Sequence, residues 1–64
     1  MTQDLLLDAS RAFFGQVTKL DARRARLTLM QANTRYRLAT VSVRYGVREF
    51  RVEIDRYRNT IRLS

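Results

Sequence analysis

Residues 41–55 read VSVRYGVREFRVEID, and their alternation decides the fold. Apolar and polar side chains exchange at nearly every step on both sides of the Tyr45–Gly46 pair, the period-two signature of two strands joined by a turn. Pairing Val41 with Phe50 sets Val43 opposite Arg48 and Ala39 opposite Val52. The other face then collects Ser42 with Glu49, Thr40 with Arg51 and Leu38 with Glu53. This register aims Arg37 and Arg48 inward at the rim, where aliphatic stems cover apolar surface and the charged heads reach water.

Toward the C-terminus, RYRN at 56–59 fits a four-residue hairpin connection with Asn59 left-handed, which pairs Ile54 with Ile61 and Val52 with Leu63. Toward the N-terminus, Tyr36 and Leu38 lie out of phase with Val41 and Val43, so the strand over 35–44 is expected to bulge near Ala39 and Thr40. Ala32 and Asn33 make the turn before it, since Asn tolerates the left-handed conformation. Over 25–31, Ala25, Leu27 and Leu29 share one face, with Arg24, Arg26 and Thr28 on the other side of the chain. A further strand is expected over 16–20, joined around Asp21–Arg24. A helix through this region is the alternative, but it would set Leu20, Leu27 and Met30 against Ala22, Ala25 and Leu29.

Residues 3–14, QDLLLDASRAFF, suit a helix whose stripe is Leu6, Ala9 and Phe13, widened by Leu5 and Ala12, with Leu7 and Phe14 toward its flank. Thr2 caps its start, Asp4 complements its dipole and Gly15 is placed to end it. The expectation is an α+β fold in a single domain, 1–64. Its N-terminal helix packs on a curved antiparallel meander of four or five strands (16–20, 25–31, 35–44, 47–55 and 60–63), with a small, partly closed barrel as the limiting case.

A chain of 64 residues has a marginal core, because ordering costs roughly 1.5 kcal/mol per residue. A helix apolar beyond one stripe therefore points to self-association as a homodimer. At 45% hydrophobic and 30% charged residues the composition is globular. With no Cys and no His, disulfides, thiolate chemistry and imidazole catalysis are excluded, and neither metal nor cofactor is expected. The apolar run Leu5–Leu7 is too short for a signal peptide or a membrane span, so a cytoplasmic protein with no membrane partner is expected.

Of 13 basic residues only Lys19 is a lysine. Residues 1–15 carry Arg11 against Asp4 and Asp8, a net −1, so the region that follows carries +8 and the chain +7 overall. In the middle of the sheet, arginines have acidic neighbours such as Glu53 beside Arg62. The unmatched ones gather at the two ends. Arg35, Arg37, Arg56 and Arg58 fall at one end with Tyr36, Tyr57, Asn33 and Asn59. Arg23, Arg24, Arg44 and Arg48 fall at the other with Tyr45. Guanidinium forks hold phosphates and tyrosine rings stack on bases, so Arg35, Tyr36, Arg37, Arg56, Tyr57 and Arg58 form the candidate nucleic-acid site. Tyrosines that merely cover the edge of the core are the competing reading.

Catalysis has little to work with. Glu53 and Asp55 share a face about 6.6 Å apart, but Thr60 and Arg62 neighbour them and structural pairing is the expectation. Ser10, Ser42 and Ser64 have no imidazole to activate them, Gly15 and Gly46 stand alone, and no small-molecule ligand is identifiable.

The tail YGVREFRVEIDRYRNTIRL, residues 45–63, resembles the closing strands of the RelE/ParE toxin superfamily in its Gly-containing turn, arginine-bearing strand and acidic turn. That resemblance implies a ribosome-dependent RNase or a gyrase poison, with Arg48, Arg51 or Tyr57 as functional positions. The single short helix and the short chain depart from the family pattern. Pro, His, Cys and Trp are all missing, which favours an engineered or designed sequence. The first expectation is therefore a non-catalytic scaffold, and the alternative is a basic module gripping RNA or DNA backbone.

Overall fold

The structure, a computed structural model, describes residues 2–64. Helix α1 spans Gln3–Thr18, a single 3-10 turn covers Ala22–Arg24, and four strands follow: β1 Arg26–Ala32, β2 Leu38–Tyr45, β3 Arg48–Asp55 and β4 Thr60–Leu63. The strands pair in chain order, all antiparallel, with β1 and β4 as open edges. The sheet is not closed into a barrel, and it has four strands rather than five.

The expected strand at 16–20 does not exist. Helix α1 continues through Gly15 to Thr18, and Lys19 takes the left-handed terminal conformation at φ 64°, its N–H donating to the Gly15 carbonyl at 2.9 Å. Thr18 closes the end from its side chain, donating to the Phe14 carbonyl at 2.7 Å and accepting from the Leu20 N–H at 3.2 Å. Gly15 serves proximity instead of termination: a Cβ there would lie 3.1 Å from the Ala22 Cβ, so the 3-10 turn packs directly against the helix. The start is as expected, with Thr2 Oγ1 accepting from the Leu5 N–H at 3.3 Å and Asp4 in the first turn.

The buried stripe of α1 is Leu6, Ser10 and Phe14, flanked by half-buried Leu7 and Phe13. The expected stripe was turned too far toward Ala9, Ala12 and Leu5, all of which are exposed. Arg11 explains the rotation. Its guanidinium donates to the Ala22 carbonyl and, at 2.9 Å, to that of Ala25, which ties one flank of the helix to the turn before β1. The Ser10 hydroxyl donates to the Leu6 carbonyl at 2.9 Å, so this buried polar group stays satisfied without leaving the helix.

Beneath α1, Ala39, Val41 and Val43 of β2 and Val52 and Ile54 of β3 complete the core, with Ala25 at the mouth of β1. The faces separate as the alternation predicts, but the β2–β3 register is two residues away from the expected one. Val41 faces Val52, Val43 faces Phe50, Ala39 faces Ile54 and Tyr45 faces Arg48. A two-residue turn at Gly46–Val47 causes the shift: Gly46, at φ 63°, opens a tight hairpin that needs positive φ at its first central position. The β3–β4 hairpin matches expectation, with Ile54 opposite Ile61, Val52 opposite Leu63 and Asn59 at φ 57°.

The bulge lies on β1, not at Ala39–Thr40. Leu29 pairs with Val41 and Gln31 with Thr40, leaving Met30 as the extra residue. The insertion turns Gln31 onto the outer face and Ala32 inward opposite Ala39. Strand β2 begins only at Leu38, because Asn33 ties the preceding residues into a loop, its Oδ1 accepting from the N–H groups of Arg37 at 2.7 Å and Leu38 at 3.2 Å. The left-handed residue of that loop is Tyr36, at φ 54°, not Asn33. Tyr36 and Leu38 break the phase because one sits in a loop and the other faces outward.

Candidate nucleic-acid interface

Leu38, the first residue of β2, pairs with Asp55, the last of β3, so the loops at 33–37 and 56–59 leave the sheet side by side. Three contacts join them. The Arg56 N–H donates to the Arg37 carbonyl at 2.7 Å, Asn33 Nδ2 donates to the Tyr57 hydroxyl at 3.3 Å, and the Arg37 guanidinium lies 5.5 Å from the centre of the Tyr57 ring. Asp55 shapes the second loop: its Oδ1 accepts from the N–H groups of Tyr57 at 2.9 Å and Arg58 at 3.1 Å.

All six residues of the candidate site thus meet at one end of the sheet. Arg35, Arg37, Arg56 and Arg58 are exposed, and none has a carboxylate within ion-pair distance; among the described residues only Arg23–Asp21 and Arg62–Glu53 form such pairs. Asp55 is the acidic residue nearest in sequence to Arg56 and Arg58, and one of its oxygens is taken up by backbone. The tyrosines divide. Tyr36 is half-buried and packs against the core, the lid that the competing reading describes, whereas Tyr57 is 61% exposed.

At the opposite end the charges are more engaged. Arg23 Nε lies 3.1 Å from Asp21 Oδ1. The same hydrogen bond holds the Asp21 carboxyl below its ordinary range and raises the Arg23 guanidinium above its own. Arg48 points inward at the rim as expected, its guanidinium 4.8 Å from the centre of the Phe50 ring, but it is opposite Tyr45 rather than Val43. Arg37, also expected inward, stands in the loop over Tyr57. Tyr45 leans on Phe14 at 6.1 Å between ring centres. Arg26 and Arg44 face each other directly across β1 and β2, a like-charge pair that the sequence reading did not anticipate.

The positions implied by the toxin resemblance do not converge. Arg48 shares the inner-face phase of Phe50 and Val52, Arg51 has the opposite phase, and Tyr57 belongs to the far loop. Glu53 and Asp55 are both engaged within the fold: Glu53 Oε2 accepts from Arg62 Nη2 at 2.7 Å and Asp55 Oδ1 accepts from backbone N–H groups of the 56–59 loop. No group of three or more potential metal ligands occurs among the described residues. No helix of the structure is long and apolar enough to cross a membrane. No known protein family, curated protein or solved structure matches the chain.

Proposed function

We propose that this protein is a non-catalytic, cytoplasmic binding module that grips the phosphate backbone of RNA or DNA through Arg35, Arg37, Arg56 and Arg58, with Tyr57 beside them. The observation that carries the reading is the convergence of these four exposed, unpaired guanidiniums on two loops that are hydrogen-bonded to each other. A polyanion relieves their mutual repulsion and takes fork-shaped contacts that no carboxylate of the protein supplies. The loops are short and braced by Asn33 and Asp55, so little conformational freedom is lost on binding.

The scaffold reading rests on the missing Pro, His, Cys and Trp, on mutually consistent hairpin registers and on charges of both signs on the exposed face. Several local features oppose an idealised design: a tyrosine at φ 54°, a fully exposed Val47 in a tight turn, and Arg26 directly opposite Arg44. A natural module tolerates such irregularities where a designer removes them.

The test is fluorescence anisotropy with a labelled single strand of about a dozen nucleotides. Micromolar or tighter binding at low salt is expected, with log K falling against log salt at a slope of about −3 for four phosphate contacts. Changing both Arg56 and Arg58 to Gln should lower the slope by about 1.4 while the circular dichroism spectrum is retained. Absence of binding at low salt, or a double variant that binds as the parent does, would return the protein to the scaffold reading.

A further inference from the structure

The outer face of the sheet, the one α1 does not cover, is polar along its paired rows except at one place. Arg26, Thr28, Gln31, Thr40, Ser42, Arg44, Glu49, Arg51, Glu53, Asp55, Thr60 and Arg62 all share that face by register, and Leu38 sits among them, 44% exposed. Leu38 does not belong to the core, and β2 would lose no buried contact with a serine there. It forms part of a groove of about 950 Å³ that crosses all four strands and ends against the arginine loops. Leu38, Asp55 and Thr60 form one cross-strand row of its floor, Gln31, Thr40 and the Glu53–Arg62 ion pair form the next, and Asn59 and Arg58 close the loop end. The groove is within the size of small-ligand sites, with an apolar patch among convergent polar groups.

Resting on the backbone-binding reading above, we infer that this groove receives an unpaired nucleobase, whose own phosphate lies on the arginine loops, so that the ligand is single-stranded nucleic acid. Three features point to that occupant. The adjoining arginines supply charge complementary to the phosphate. Leu38 supplies an apolar surface for the flat face of a base. The edge of a base meets side-chain amides and hydroxyls at Gln31, Asn59, Thr40 and Thr60, together with the Asp55 carboxylate. Only one oxygen of that carboxylate accepts backbone N–H groups, and the other is free to accept from a base N–H. A base stacked and paired inside a duplex cannot present its face to Leu38, whereas an unstacked base of a single strand can.

The experiment compares single-stranded and duplex oligonucleotides of equal length against the parent protein, Leu38→Ser and Gln31→Ala, each titrated across salt. Tighter binding of the single strand is expected. Leu38→Ser should lower single-strand affinity about fivefold, which corresponds to about 1 kcal/mol, and leave the salt slope and the duplex affinity unchanged, since no phosphate contact is lost. Gln31→Ala should act in the same direction without touching the apolar floor. Equal binding of the two forms, with both variants behaving as the parent, would overturn the base site and leave the backbone reading standing. Failure of every oligonucleotide to bind would overturn both.

Discussion

Asn33 Nδ2 donates to the Tyr57 hydroxyl at 3.3 Å, linking two loops that lie 24 positions apart in the chain. The same side chain accepts from the N–H groups of Arg37 and Leu38 through Oδ1. One amide thereby shapes its own loop and holds the neighbouring one beside it. Asn33→Ala should cost about 1 kcal/mol, since its hydrogen bonds are solvent-exposed and water replaces part of each. A lower urea midpoint with unchanged slope checks this, and an unmoved midpoint would show that the loops stand without the amide.

Phe14 is fully buried, its ring edge-on to Phe50 at 5.1 Å and tilted against Tyr45 at 6.1 Å. It is the largest fully buried side chain that α1 contributes to the core. Phe14→Ala should lose about 3–5 kcal/mol, comparable with the whole stability of so small a domain. Loss of the near-ultraviolet dichroism of the tyrosines at 25 °C is the expected readout. A cooperative transition within 1 kcal/mol of the parent's, on the order of a surface change, would mean that the helix is not what closes the core.

Ser10 occupies the centre of the buried stripe, bonded only to the Leu6 carbonyl one turn back. That carbonyl retains its helical N–H donor if the hydroxyl is removed, and Ala is the better helix former. Ser10→Ala should therefore stabilise the protein by about 0.5 kcal/mol. Thermal melting measures it, and a destabilised variant would reveal a second role for the hydroxyl.

Arg26 and Arg44 are direct cross-strand neighbours, and neither forms an ion pair. Like charges so placed oppose each other by a few tenths of a kcal/mol to about 1 kcal/mol. Arg26→Gln should raise the melting temperature in low salt. The gain should shrink toward zero in 1 M salt, where the screening length is about 3 Å. A gain independent of salt would assign it to packing or propensity.

Asp21 accepts from the Arg23 side chain, and this bond is the main cause of its lowered pKa; the Arg23 backbone N–H lowers it further, while desolvation opposes both. A carboxyl whose folded value is depressed contributes stability above its unfolded value, near pH 3.9, and loses it as pH falls through the lower folded value. Asp21→Asn should accordingly flatten the acid limb of the stability curve below about pH 4, because the variant lacks at neutral pH the contribution that the parent loses on acidification, so the two curves converge at low pH. Superimposable acid limbs would show that the pair is as well formed in the unfolded chain.

Much of the architecture is legible in the sequence. The two inner faces of β2 and β3, the mixed outer face, the 56–59 loop with its left-handed asparagine and the grouping of the six candidate residues at one end all follow from period-two alternation and turn chemistry, which are local. Two of the misread parts are places where a distant contact outweighs a local signal. Gly15 looked like a helix stop but permits Ala22 to approach. The helix stripe turned because Arg11 reaches two carbonyls beyond the helix.

The chain by itself determined which side chains share a face, because alternation needs only the pleat of a strand. It also determined that the positive charge lies beyond the helix. Tertiary structure decided the register and the bulge, since a shift of two residues preserves every face and is chosen only by how tightly Gly46 turns and how Met30 is accommodated. It also decided that Arg23, unmatched in the sequence, meets the Asp21 carboxylate, whereas the four arginines on the neighbouring loops meet none. Pairing of charges depends on distances of a few ångströms between separate segments, and those distances exist only once the sheet has formed.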